Sequence, residues 1–269
     1  MGKVELGLGS PRYQRSFGKA VLKLSAQGVE TLREEGAAKI RLPATLPGRP
    51  SEAIVINTSG GVTGGDDVAY ALTTRAGATL VATTQAAEKI YRAGGPLARI
   101  AVNLSAEAGS RLSWLPQETI LFDGSMLGRT ITANIAADAR LLIVESVIFG
   151  RTEMGERDIA PRFHDRWRIK RDGRLIYADE FKVNESIPNA PAALHGARAL
   201  ATILLVAPDA ERHLEETRML LGDSAGVSAW HGKLVARLLA ADGFNLRKRL
   251  IPAVRRLLPE GELPRIWSL

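Results

Sequence analysis

The feature that most constrains this chain is a run of short alternating segments, cut by turn residues, that occupies most of the sequence from about residue 12 to residue 207. Residues 12–24, R-Y-Q-R-S-F-G-K-A-V-L-K-L, alternate polar and apolar as a half-buried strand does. The same texture returns at residues 28–42, 68–74, 79–84, 98–104, 111–115, 129–135 and 140–148. Asp172-Gly173, set between F-H-D-R-W-R-I-K and R-L-I-Y-A-D-E-F, predicts a two-residue hairpin. Alternation then sends Asp179 and Glu180 of its second strand to opposite faces. Strands this short and this closely spaced predict a mostly β fold, and a sandwich, a barrel or a solenoid of irregular coils would each satisfy the texture.

The 269 residues contain no cysteine, which removes disulfides, thiolate metal sites and cysteine nucleophiles from consideration. No signal peptide and no apolar run of membrane-spanning length is legible, so the expected location is the cytoplasm. A net charge of +7 invites a nucleic-acid reading. Aromatic residues make up only 5% of the chain, too few for a stacking platform, and the charge is read as a sign of acidic protein partners.

Within this texture one stretch stands apart: residues 57–67, N-T-S-G-G-V-T-G-G-D-D, directly behind the apolar run Ile54-Val55-Ile56. The pairs Gly60-Gly61 and Gly64-Gly65 predict a tight turn, read as a glycine hairpin, that ends in Asp66 and Asp67. A phosphate loop is excluded because acids stand where its lysine belongs. A dinucleotide fingerprint is excluded by spacing and by the strand-like V-A-Y-A-L-T-T that follows. What remains is a structural turn of an all-β protein, or a turn presenting paired acids to a cation.

Residues 83–95 hold helix formers that predict a helical turn, stopped by Gly94-Gly95-Pro96. Beyond Pro191 the texture changes. Residues 199–207 read as an apolar strand, 208–221 as a helix begun at Pro208-Asp209, and 226–240 as two strands around His231-Gly232. Residues 245–258 read as an amphipathic helix, apolar at Leu246, Leu250, Ile251, Val254 and Leu258 and basic on its other face.

His164, His195, His213 and His231 lack metal-ligand spacing and no nucleophile motif accompanies them. Glu145 lies inside L-L-I-V-E-S-V-I-F, either on the solvent face of a half-exposed strand or buried with a partner. Asp66, Glu118 and Glu145 could serve as acid and base in an all-β carbohydrate-active hydrolase or lyase.

The glycine turn, T-T-Q-A-A-E-K-I-Y-R, W-L-P-Q-E-T-I at 114–120, G-R-T-E-M-G-E at 150–156 and L-P-R-I-W at 263–267 occur in an order that resembles the UreD family of urease accessory proteins, called UreH in some organisms. The resemblance implies one domain over residues 1–269, β-rich through 207 and mixed α/β over 208–269. The fold implied is an irregular β-helicoid with two helices near its end. It also implies a non-enzymatic role: a complex with UreF and the GTPase UreG, dimeric through its partners, that docks on urease apoprotein (UreA, UreB and UreC) for GTP-dependent nickel insertion. Neither nucleic acid nor membrane is an implied partner. No tightly bound cofactor is implied, only nickel(II) in transit through an internal, acid-lined passage. By the resemblance Asp66, Glu145 and Asp179 line that route. Glu88 and Asp67 depart from the family's usual residues, Glu88 replacing a small hydroxyl-bearing one, and Glu88 is added to the route. Separated carboxylates suit a passage, because a cage of imidazole or thiolate would hold nickel too tightly to release it.

Overall fold

The computed structural model of the protein describes residues 15–44, 48–151, 154–156, 158–187, 193–258 and 262–268. β1 (Phe17–Ser25) pairs antiparallel with β2 (Gly28–Gly36), and β3 (Ala38–Arg41) with β4 (Ser51–Asn57). From β4 onward the chain shuttles between two sheets. β5 (Asp67–Thr74), β8 (Ala98–Ala106), β11 (Met126–Ile135) and β13 (Arg162–Arg171) extend one sheet from β1, all parallel. β6 (Thr79–Thr84), β9 (Arg111–Trp114) and β12 (Arg140–Phe149) extend the other from β4, also parallel. Two short strands, β7 (Glu88–Ile90) and β10 (Thr119–Leu121), lie parallel beyond β12. Each turn of the coil therefore contributes one strand to each sheet, which makes the fold a mostly β helicoid with two facing layers.

The parallel run ends in antiparallel pairs. β14 (Arg174–Asn184) folds back on β13, while β15 (Ala199–Val206), β16 (Ala225–Trp230) and β17 (Lys233–Ala240) widen the second sheet beside β12 in the order β12-β15-β17-β16. Asp172 and Gly173 have φ of 49° and 75°, and His231 and Gly232 have 48° and 71°. Positive φ at both central residues is the turn whose twist matches paired strands, so both predicted hairpins are present.

Inward residues of the first sheet, including Leu22, Leu72, Val102, Ile131 and Ile169, meet the inner face of the second in one buried cluster. The outer face of the second sheet is covered as well. α1 (Leu214–Leu221) and α2 (Gly243–Leu257) bring Leu221, Leu246, Leu250 and Val254 against Leu142, Val144, Ile203 and Leu205. This double cover explains why every residue of β15 is buried and why its sequence, A-L-A-T-I-L-L-V, does not alternate. No helix among the described residues is long and apolar enough to cross a membrane.

Asp242 caps α2, its carboxylate accepting from the Asn245 backbone N–H at 2.7 Å. We expect Asp242→Ala to lower stability by about 1 kcal/mol, read as a shift of the urea midpoint with an unchanged slope. Arg247 on this helix donates to Gln117 Oε1, Glu118 Oε1 and the Trp267 carbonyl, and Arg256 donates to Glu216. Two residues of the basic face predicted from sequence thus have partners within the chain, Arg247 half-buried and Arg256 at the surface.

Several expectations are corrected. The glycine stretch is not a hairpin, because β4 and β5 belong to different sheets and the turn carries the chain across the gap between them. Residues 83–95 form no helical turn. Glu88–Ile90 is extended because β10 offers it a parallel ladder, which outweighs local helix propensity. Residues 28–42 are two strands divided at Gly36, and the helix expected from Pro208 begins as a 3-10 turn at Ala210–His213 before α1. Residues 12–14, 152–153 and 191 of the sequence reading lie outside the described residues.

Candidate functional site

The inner face of β12 carries Glu145 in phase with apolar Ile143 and Val147, which settles its placement: it is buried, and it has partners. Trp114 Nε1 on β9 donates to its Oε1 at 2.8 Å, and Arg129 Nη1 on β11, in the facing sheet, donates to its Oε2. Arg129 is itself buried, at 3% exposure. Its Nε and Nη2 hold Asp165 of β13 bidentately at 3.0 and 2.6 Å, and its Nη1 also donates to Thr119 Oγ1 at 3.0 Å. Trp167 Nε1 donates to Asp165 Oδ2 at 3.0 Å. One guanidinium therefore bridges two carboxylates from opposite sheets; Trp114 steadies the Glu145 oxygen that Arg129 leaves free, and Trp167 shares Asp165 Oδ2 with the guanidinium.

Strand register, parallel at β11–β13 and antiparallel at β12–β15–β17, lines these groups up. Arg129 and Asp165 are Cα partners across β11 and β13, and Glu145 is the partner of Thr202, which is the partner of Arg237 on β17. Asp179, two register positions further along opposite Trp167, accepts from Arg237 Nη2 at 2.5 Å and so joins the edge strand β14 of the first sheet to β17 of the second. A small cavity of about 10 Å³, the space of a single water, lies among Arg129, Glu145, Asp165, Asp179 and Thr202. Asp179 is partly exposed and Arg237 more so, which puts the outer end of this polar lane at the surface.

Charge in the lane is governed by burial. Burial pushes Glu145 upward to about 7, Arg129 opposes the rise and Asp165 adds to it. For Arg129, burial works against its charge, but Asp165 and Glu145 outweigh it and hold the group charged.

Asp66 and Glu88 occupy a different place. Asp66 is buried, and its two oxygens accept from Ser16 N at 2.7 Å and Thr63 N at 2.8 Å, so the carboxylate clamps the glycine turn to the residue before β1. The turn is tight: a Cβ on Gly61 would lie 2.8 Å from the Lys89 carbonyl, and one on Gly64 2.6 Å from that of Pro96. Gly60 and Gly65 have φ of 74° and 86°. Glu88 accepts from Asn57 Nδ2 at 3.1 Å. Burial raises Glu88 to about 7, Asn57 opposing and the nearby Asp66 assisting. Between this pair and Glu145 stand two aromatic residues: Tyr70, raised by burial and by the charge of Glu88, and Trp114, 6.3 Å from Tyr70 ring to ring.

The structure thus brings Glu145 and Asp179 to one cavity and places Asp66 with Glu88 at another point of the same interior. Sequence reasoning missed Arg129 and Asp165. Among the described residues no group of three or more His, Cys, Asp or Glu side chains is placed to hold a metal ion. The hydrolase reading finds no support, since Glu118 is paired with Arg247 at 2.8 Å, Asp66 with backbone and Glu145 with Arg129.

A family model described as UreD urease accessory protein matches residues 17–268, nearly the whole chain and every element above. The chain belongs to the UreD family. It is 48% identical to the urease accessory protein UreD of Brucella suis over 248 residues, 90% of this chain and 88% of that one. It is 45% identical to the UreD of Mesorhizobium japonicum over 270 residues, 96% of both chains. With the UreD of Agrobacterium fabrum the identity is 43% over 265 residues, 96% of this chain and 93% of the relative. Membership in the UreD family makes this chain a urease accessory protein, a maturation factor and not an enzyme.

Proposed function

We propose that the chain works in a cytoplasmic complex with a UreF-type protein and a UreG-type GTPase, dimeric through those partners, which docks on urease apoprotein so that nickel(II) is inserted as GTP is spent. Nickel is cargo in this reading, held briefly and passed on. The observation that carries it is the lane of buried carboxylates between the two sheets, with Glu145 and Asp165 inside and Asp179 at the outer end. Carboxylate and water oxygens bind a borderline divalent cation less firmly than nitrogen or sulfur ligands do, which favours transfer over storage. Glu88, beside the glycine turn, is the acid of that region with the freer oxygens, because Asp66 already serves two backbone donors. We assign Glu88 to the route ahead of Asp66.

The test begins with co-purification of the chain with UreF-type and UreG-type proteins, followed by nickel-dependent activation of urease. Under limiting nickel, Glu145→Gln and Asp179→Asn should each lower activation several-fold while leaving the complex assembled. Normal activation by both variants, in complexes of unchanged composition, would remove the interior route.

A further inference from the structure

We propose that the guanidinium of Arg129 occupies the seat a divalent cation would otherwise take between Glu145 and Asp165, and so keeps the interior from retaining metal. The inference deepens the nickel reading above and rests on it for its purpose, though not for its geometry.

Three features define the seat. The carboxylates come from facing sheets and converge on one planar cation, Asp165 through two bonds of 3.0 and 2.6 Å and Glu145 through Nη1. Their orientation does not depend on that cation alone, because Trp114 and Trp167 donate indole N–H groups to them at 2.8 and 3.0 Å. An oxygen of Thr119 lies within 3.0 Å of the same Nη1, a third ligand of the kind a hard or borderline cation accepts.

Charge points the same way. Two carboxylates against one guanidinium leave the group one positive charge short when both acids are ionised, whereas a divalent ion in the same place would balance it. A preorganised oxygen site of matching charge would bind a divalent cation well, and a conduit must not. Arg129 resolves the conflict by filling the seat with a covalently tethered cation. Metal in transit then meets a site already satisfied and finds only loose contacts with the cavity toward Asp179. Arginine suits this use because its fork covers both acids while remaining charged at any physiological pH.

The experiment is nickel binding to the full-length chain by equilibrium dialysis, with Ni²⁺ alone as probe, comparing wild type, Arg129→Gln and Arg129→Gln/Glu145→Gln. Removing a unit charge within contact distance of the site should tighten Ni²⁺ binding by at least about tenfold in Arg129→Gln. Adding Glu145→Gln should abolish the gain. Equal affinity of Arg129→Gln and wild type, or a gain that survives Glu145→Gln, overturns the proposal. If Arg129→Gln does not fold in metal-free buffer, refolding with Ni²⁺ decides. Recovery of the native near-ultraviolet spectrum by Ni²⁺ supports the seat, and failure to recover it counts against the seat. No urease enters this measurement. Tight nickel binding by Arg129→Gln together with normal activation by the carboxylate variants would keep the seat and remove the route, and the reverse pattern would do the opposite.

Discussion

Arg129→Met should lower the unfolding free energy by about 3–5 kcal/mol, the cost of stranding charge in a buried ion cluster. The native arrangement uses Arg129 to satisfy Glu145 and Asp165 together, at exposures of 3%, 3% and 7%. Methionine approximates the aliphatic stem but leaves both acids facing each other across the sheets without a counter-ion. That loss is a large share of the stability of an ordinary domain. Urea unfolding monitored by tryptophan fluorescence reads it, since Trp114 and Trp167 donate directly to the stranded carboxylates. The triple variant Arg129→Met/Glu145→Gln/Asp165→Asn should recover most of the loss, because neutral amides keep acceptors for the two indoles and carry no charge. Arg129→Met alone should also become relatively more stable as pH falls. Burial already raises Glu145, Arg129 opposes the rise more than the Trp114 hydrogen bond does, and without it the folded state holds the Glu145 proton more firmly than the unfolded chain does. A loss under 1 kcal/mol, or one indifferent to pH, would mean that the cluster is solvated and not sealed.

What the sequence made legible follows the distance over which each feature is decided. Asp172-Gly173 and His231-Gly232 were readable because a two-residue turn is fixed by the φ preferences of its own residues, and the strands beside them follow. The sheet partners of the parallel strands were not readable, because β5 chooses β1 and β8 through contacts far away in sequence. The same limit turned a glycine crossing between sheets into an apparent hairpin. For the site, the acids were carried by resemblance, while Arg129 and Asp165 were missed although the alternation contains them. Arg129 stands in phase with buried Leu127, Ile131 and Ala133, and Asp165 in phase with buried Phe163, Trp167 and Ile169. A charged residue on the apolar phase of a strand needs a partner, and two such residues of opposite sign on two strands could be that pair. Deciding that they meet required the register.

Glu88→Gln should remove a pH dependence of stability of up to about 3 kcal/mol that wild type shows between about pH 4.5 and 7. The sign follows from the raised pKa. In that window the folded chain keeps the Glu88 proton while the unfolded chain has lost it, so the contribution is full below the unfolded value and disappears as pH rises through about 7. Above pH 7 the folded chain carries an ionised Glu88, partly buried, close to Asp66 and Tyr70, with the Asn57 amide as its donor. Glutamine offers Asn57 the same oxygen without the charge, so the variant should be the more stable protein at pH 8 and no better than wild type at pH 4.5. The comparison must be the difference between the two proteins at each pH. Glu145 titrates in the same window, and carboxylates held low, such as Glu107 and Glu180 beside arginines, push total stability the other way in acid. Asp66→Asn supplies an internal check, since removing the neighbouring charge should narrow the window from its upper end. Parallel stability curves for wild type and Glu88→Gln from pH 5 to 8 would show that Glu88 is solvated in the folded chain and that burial does not hold its proton.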